Sequence, residues 1–130
     1  MPNPGIHYTT TVLTNANESA ANTETVVGTL TTPLSRFPGQ LFVIEGWVLV
    51  TPGAAVTAAQ LRVRRGGLTG TLVGPNQTIT AVTASKVNNF DFFAEDQPGE
   101  GQFTYVVTYQ GTGEGGAASF QAVELICTVN

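Results

Sequence analysis

Phe103-Thr104-Tyr105-Val106-Val107-Thr108-Tyr109 decides the fold. Phe103, Tyr105, Val107 and Tyr109 stand at alternate positions, with Thr104, Val106 and Thr108 between them. Successive side chains of a strand point to opposite faces, so this period of two predicts a β-strand with one core face and one wetter face. A second stretch, Leu41 to Val50, is apolar on both alternations. Leu41, Val43, Trp47 and Leu49 fall on one side, and Phe42, Ile44, Val48 and Val50 on the other. The final run repeats this, with Val123, Leu125, Cys127 and Val129 opposite Phe120, Ala122 and Ile126. A strand of that kind needs cover on both faces. In a two-layer sandwich the second cover comes from a loop, an N-terminal arm or a neighbouring subunit, so two such strands point to oligomerisation.

Outward from these stretches the chain reads as short β-branched and aromatic runs divided by turn residues. Strands are expected near Ile6 to Thr14, Thr23 to Thr31, Gln40 to Thr51, Ala59 to Arg65, Thr69 to Val73, Thr78 to Thr83, Val87 to Ala94, Gln102 to Tyr109 and Ala118 to Val129. Pro52-Gly53, Gly66-Gly67, Gly74-Pro75-Asn76, Pro98-Gly99 and Gly111 to Gly116 supply the fixed or positive φ that turns between them require. No apolar repeat of 3.6 is sustained anywhere, and only Ala54 to Gln60 has room for a helical turn. The expected fold is all-β: a two-sheet antiparallel sandwich, jelly-roll-like, of about eight to nine strands. Residues 6–130 form one domain, and residues 1–5, with Pro2 and Pro4, form a short extended N-terminal arm.

Charged residues make up 11% of the chain, less than half of the roughly 25% usual in soluble domains, and Thr, Gln, Asn, Ser and Gly take their place. A weakly charged polar exterior fits a surface covered by other subunits. The net charge of -4 argues against nucleic-acid binding, which needs a basic stripe to displace counterions. The longest apolar run falls far short of a membrane helix, and the N-terminus lacks the basic and apolar regions of a signal peptide, so synthesis in the cytoplasm is expected.

No catalytic machinery is expected, and no cofactor. With the single histidine His7, neither a catalytic triad nor a histidine-rich metal site can be assembled. Asp91 and Glu95 share a strand face, the spacing that paired acid and base carboxylates would need, and with Asp96 they could make a weak calcium site. The plainer reading is a polar loop, because Glu95 to Gly101 is rich in turn residues. Trp47, Tyr105 and Tyr109 could stack on a sugar, but core packing accounts for them better. Cys127 alternates with Leu125 and Val129 and reads as a small buried hydrophobe. Arg62 and Arg64 alternate with Leu61 and Val63, so both guanidinium groups lie on one outward face, suited to carboxylates of a partner or to solvent.

Leu61-Arg62-Val63-Arg64-Arg65-Gly66-Gly67 through Gly70-Thr71-Leu72-Val73-Gly74, then Asp96-Gln97-Pro98-Gly99, Tyr105-Val106-Val107-Thr108 and a Gly-rich turn into an apolar last strand, resemble small structural proteins of tailed bacteriophages. The resemblance spans Val43 to Val129 and is a rhythm of strands and turns, with no functional residue carried over. It implies a virion protein on the capsid exterior, made in the host cytoplasm: a decoration or cement subunit, homotrimeric, whose partner is the major capsid protein. A glycan- or receptor-binding domain at a fibre or spike tip is the alternative. The expected contact residues are Pro2, Asn3, Pro4 and Gly5 of the arm, which can order on binding, together with Arg62 and Arg64.

Overall fold

The β-branched and aromatic runs pair into two antiparallel sheets in the computed structural model. It describes residues 22–32, 34–35, 38–113 and 117–129 in full, and 6–13 and 18–19 as backbone strands. The expected arm, Pro2 to Gly5 included, lies outside the described residues. The strands are β1 (Ile6–Leu13), β2 (Glu18–Ser19), β3 (Thr25–Thr31), β4 (Phe42–Thr51), β5 (Ala58–Arg65), β6 (Thr71–Ile79), β7 (Asn88–Asp96), β8 (Thr104–Thr112) and β9 (Ala118–Val129). No helix is present among the described residues.

One sheet has the order β1-β9-β4-β7, with the short β2 also paired to β9; the other has the order β3-β8-β5-β6. The hydrogen-bonded partners are nested: β1 with β9, β3 with β8, β4 with β7, and β5 with β6 at the centre. A long antiparallel ribbon folded over itself in this way is a jelly roll. The expected all-β sandwich is therefore the observed one.

Gly74-Pro75-Asn76 does not divide two strands as expected. It lies inside β6, an edge strand, where the register against β5 slips between Leu61 paired with Gln77 and Val63 paired with Val73. Gly74 there takes φ +69°, a left-handed conformation that glycine adopts without penalty. An edge strand tolerates a proline because one row of its N–H groups has no ladder partner to lose. The result is a bulge in place of a turn.

The core lies between the sheets. Ile44, Val48, Val50, Phe90, Phe92, Phe120, Val123, Leu125 and Cys127 enter from one layer, and Leu30, Ala59, Leu61, Val63, Tyr105, Val107 and Tyr109 from the other, all buried. Edge-to-face aromatic pairs join the layers: Phe42 with Phe103 at 6.1 Å between ring centres, and Tyr109 with Phe120 at 5.2 Å. Tyr105 and Tyr109 are thus core residues, as read from their alternation. Trp47 is half-buried on the opposite face of β4.

Cys127 is buried, and burial pushes its thiol up to about 11 from an ordinary 9.0. At pH 8 a thiol reagent is expected to label the native chain on the order of 100-fold more slowly than the unfolded chain. Because the folded pKa is the higher one, the stability from keeping this thiol neutral is complete below pH 9 and declines as the pH rises toward 11. Equal labelling rates in native and unfolded protein would mean that β9 is in another register.

Candidate functional site

Part of the outer face of the β3-β8-β5-β6 sheet is covered by the chain's own Glu24 and its partners, while Leu72 of β6 on the same face is exposed. Glu24, just before β3, extends across β8 to β5, where its carboxylate accepts two bonds from Arg64, from Nε at 2.7 Å and Nη2 at 3.0 Å. Arg62 Nη1 stands 3.4 Å from the same carboxylate and donates to Gln110 Oε1 at 2.8 Å, while its Nη2 donates to Gln60. Thr108 donates its hydroxyl to Glu24 at 2.7 Å, and Arg64 Nη1 reaches the Gly70 carbonyl at 3.1 Å. The Arg64 hydrogen bonds hold the Glu24 carboxyl below its ordinary range, against the opposing effect of burial. Val106 and Thr108 are buried beneath this layer although they face outward. Arg62 and Arg64 do share an outward face, as expected, but the carboxylate that occupies them belongs to their own chain.

The outer face of the β1-β9-β4-β7 sheet is different. Register fixes its rows. Trp47 sits between Asp91 of β7 and Glu124 of β9, Glu45 between Phe93 and Ile126, Val43 between Glu95 and Thr128, and Leu49 between Asn89 and Ala122. Apolar and acidic residues thus alternate across the face. Phe93 is 48% exposed, and Val43, Trp47, Leu49 and Ile126 are half-buried. A shallow groove of about 480 Å³ runs over Glu45, Trp47, Asp91, Phe93, Glu124 and Ile126. The register of β1 against β9 adds His7, Thr9, Thr11 and Leu13 at positions of this face.

The proposed carboxylate group divides. Asp91 and Glu95 lie on the outer face, as their spacing requires. Asp96 instead belongs to the end of the sandwich, where its Oδ2 accepts from Arg65 at 2.8 Å and from the Tyr105 hydroxyl at 2.7 Å. This joins the two sheets. Burial first, then the Asp96 carboxylate, raises the Tyr105 phenol above its ordinary 10.0. No three His, Cys, Asp or Glu side chains gather closely enough to hold a metal ion among the described residues.

A second tie lies at the neighbouring edge. Gln77 of β6 donates to the Phe93 carbonyl at 3.0 Å and accepts from the Phe93 N–H at 3.2 Å. Its carboxamide takes the place of a further strand on the outer edge of β7.

Sequence reasoning found both arginines and the parity of Trp47, but it missed Glu24. No spacing could have shown it, because 40 residues separate it from Arg64.

Among the described residues the chain is a jelly-roll β-sandwich with a glutamate–arginine network on one outer face and a half-apolar, acidic groove on the other. No protein-family model matches it, and no curated protein sequence does. Among solved structures it is similar to a chain of the infectious bursal disease virus Gx strain, with a TM-score of 0.58 and 12% identity. That match covers 96% of this chain and 32% of the viral one. The VP2 subviral particle of the same virus gives a TM-score of 0.56 at 12% identity, over 94% of this chain and 32% of that chain. Dimeric latent PorU from Porphyromonas gingivalis gives 0.51 at 11% identity, over 98% of this chain and 13% of its own. The chain spans about a third of the viral chains it matches, and at these identities the likeness is one of fold.

Proposed function

We propose that this chain is a virion structural subunit, a capsid decoration or cement protein that binds and stabilises a phage shell as a homotrimer. It acts by burying surface and performs no reaction. The observation that carries this reading is the half-apolar, acidic outer face of the β1-β9-β4-β7 sheet, where Phe93 is exposed and Val43, Trp47, Leu49 and Ile126 are half-buried among the described residues. The jelly roll common to this chain and proteins of virus particles supports it, as does the sparse surface charge. The partner is the major capsid protein, and the site is the particle exterior. A shell repeats each contact many times, so a trimer engages equivalent points together and modest interfaces combine into long-lived binding. Arm residues Pro2 to Gly5 remain candidates for shell contact, whereas Arg62 and Arg64 are engaged by Glu24 and would have to leave it first.

Particles stripped of the protein are expected to lose integrity at a temperature lower by at least several degrees than decorated ones. Added protein should restore the difference and appear on the shell by electron microscopy. Deleting Met1 to Gly5 should lower occupancy without changing the β circular dichroism. The second reading, a glycan- or receptor-binding domain at a fibre or spike tip, is favoured by the groove around Trp47. Equal robustness of stripped and decorated particles, with adhesion of the isolated protein to host cells, would replace the first reading by the second.

A further inference from the structure

We infer that the outer face of the β1-β9-β4-β7 sheet docks a protein surface bearing Lys or Arg side chains among apolar ones, with one cationic side chain lying over Trp47. This goes beyond the shell reading, because it specifies the chemistry of the partner and not its location.

The distribution of charge carries the inference. Glu45, Asp91, Glu95 and Glu124 all stand on this face, four of the chain's nine carboxylates. None of the strands that build the sheet contains a Lys or Arg: β1 is IHYTTTVL, β2 ES, β4 FVIEGWVLVT, β7 NNFDFFAED and β9 ASFQAVELICTV. The arginines of β5 are committed elsewhere, Arg62 and Arg64 to Glu24 and Arg65 to Asp96. Among the described residues no ion pair reaches these four carboxylates, so the face has apolar area to bury and unbalanced negative charge. A second copy set face to face would bring the same carboxylates against one another inside a screening length of about 8–10 Å. An acidic membrane surface or a nucleic acid is repelled for the same reason. A basic protein surface is complementary in both charge and polarity.

The rows also set where the cation goes. Neighbouring strands lie about 4.8 Å apart, so Asp91 and Glu124 flank Trp47 at about that distance on either side. A guanidinium or ammonium group over the indole meets the ring's negative face and both carboxylates. Its aliphatic stem is long enough to lie along Phe93 or Ile126 in the next row.

Trp47 is the only tryptophan in the chain, so its fluorescence reports on this face alone. The probes are an octapeptide alternating Arg and Val, the same peptide with Glu for Arg, and maltotriose as a glycan. The Arg-Val peptide should change Trp47 emission saturably, with affinity falling about fivefold or more between about 50 and 300 mM salt. Asp91→Asn with Glu124→Gln should weaken it by about tenfold, with the β circular dichroism unchanged. If that pair fails to fold, Glu45→Lys provides the same reading from the next row. Equal response to the Glu-Val peptide, undiminished binding by a folded variant, or a response to maltotriose alone would each overturn the inference. None of these measurements uses a shell, so their failure is distinct from failure of the decoration reading.

Discussion

Gly46→Ala is expected to cost about 3–5 kcal/mol, at and above the upper end of overpacking changes and a large share of a domain's total stability. Gly46 lies in β4 between β7 and β9, opposite Phe92 and Leu125. A Cβ there would overlap the Glu124 carbonyl oxygen and stand 2.9 Å from Phe92 Cζ. A flexible side-chain tip could swing away, but the Glu124 carbonyl belongs to a ladder strand paired on both sides. The backbone of β4 or β9 must therefore shift. Thermal unfolding should fall by at least about 10 °C, or the variant should be recovered only as aggregate. Gly39→Ala is the control, because a Cβ at Gly39 meets nothing within 4 Å. A melting point for Gly46→Ala within about 2 °C of that control would mean that β4 and β9 are not held at this separation.

Glu24→Ala is the second large effect, expected to destabilise the fold by about 2–3 kcal/mol. Removing the carboxylate leaves Arg62 and Arg64 facing each other half-buried, and deprives the fully buried Thr108 hydroxyl of its 2.7 Å acceptor. Exposed ion pairs are worth far less, but this carboxylate is only 19% exposed and serves three donors. Glu24→Gln should cost less, since its amide oxygen still accepts. The pH dependence has a definite sign. The folded pKa of Glu24 is lowered from 4.5, so its stabilisation is present above that pH and is lost as the pH falls through the folded value. Chemical denaturation from pH 7 down to pH 3 should therefore show a smaller loss in Glu24→Gln than in the wild type. Parallel losses would place the acid-sensitive contribution elsewhere.

Much of the fold was legible because strand parity is a local property. The alternation from Phe103 to Tyr109 placed Tyr105 and Tyr109 in the core, and that of Leu41 to Val50 put Trp47 on the other side from Phe42, Ile44, Val48 and Val50. The last strand, Ala118 to Val129, was legible to its ends, but Phe120, expected opposite Val123, Leu125 and Cys127, is buried in the core beside them because the register against β4 shifts between Leu49 and Val50. The other errors fell where glycine or a charge interrupts the pattern without ending the strand. Gly74-Pro75-Asn76 reads as a turn but is a bulge in an edge strand. Gly111 reads as part of a turn, yet β8 runs through it to Thr112. Asp96 reads as loop, yet it completes β7 because Arg65 and Tyr105 satisfy it there. The candidate faces depend on which strands become neighbours. Nothing local brings Glu24 to Arg64 or Asp91 and Glu124 to either side of Trp47, so those arrangements emerged only with the register.

The nested strand order has a consequence for the birth of the molecule. β9 runs between β1 and β4, joining an early strand to a central one, so that sheet cannot close until Ala118–Val129 has been synthesised. Until then β1 and β4 wait with unpaired edges and exposed apolar side chains. On a ribosome adding about 5–20 residues per second, that interval is several seconds of vulnerability to pairing with the wrong chain. Ladders joining distant parts of a sequence also form slowly. Among the described strand pairs, the β5-β6 hairpin, close in sequence and central in the nest, can begin the winding early. A chain emerging beside copies of itself is thus exposed to them before it can close, and a charge-poor sequence has little electrostatic repulsion to keep them apart.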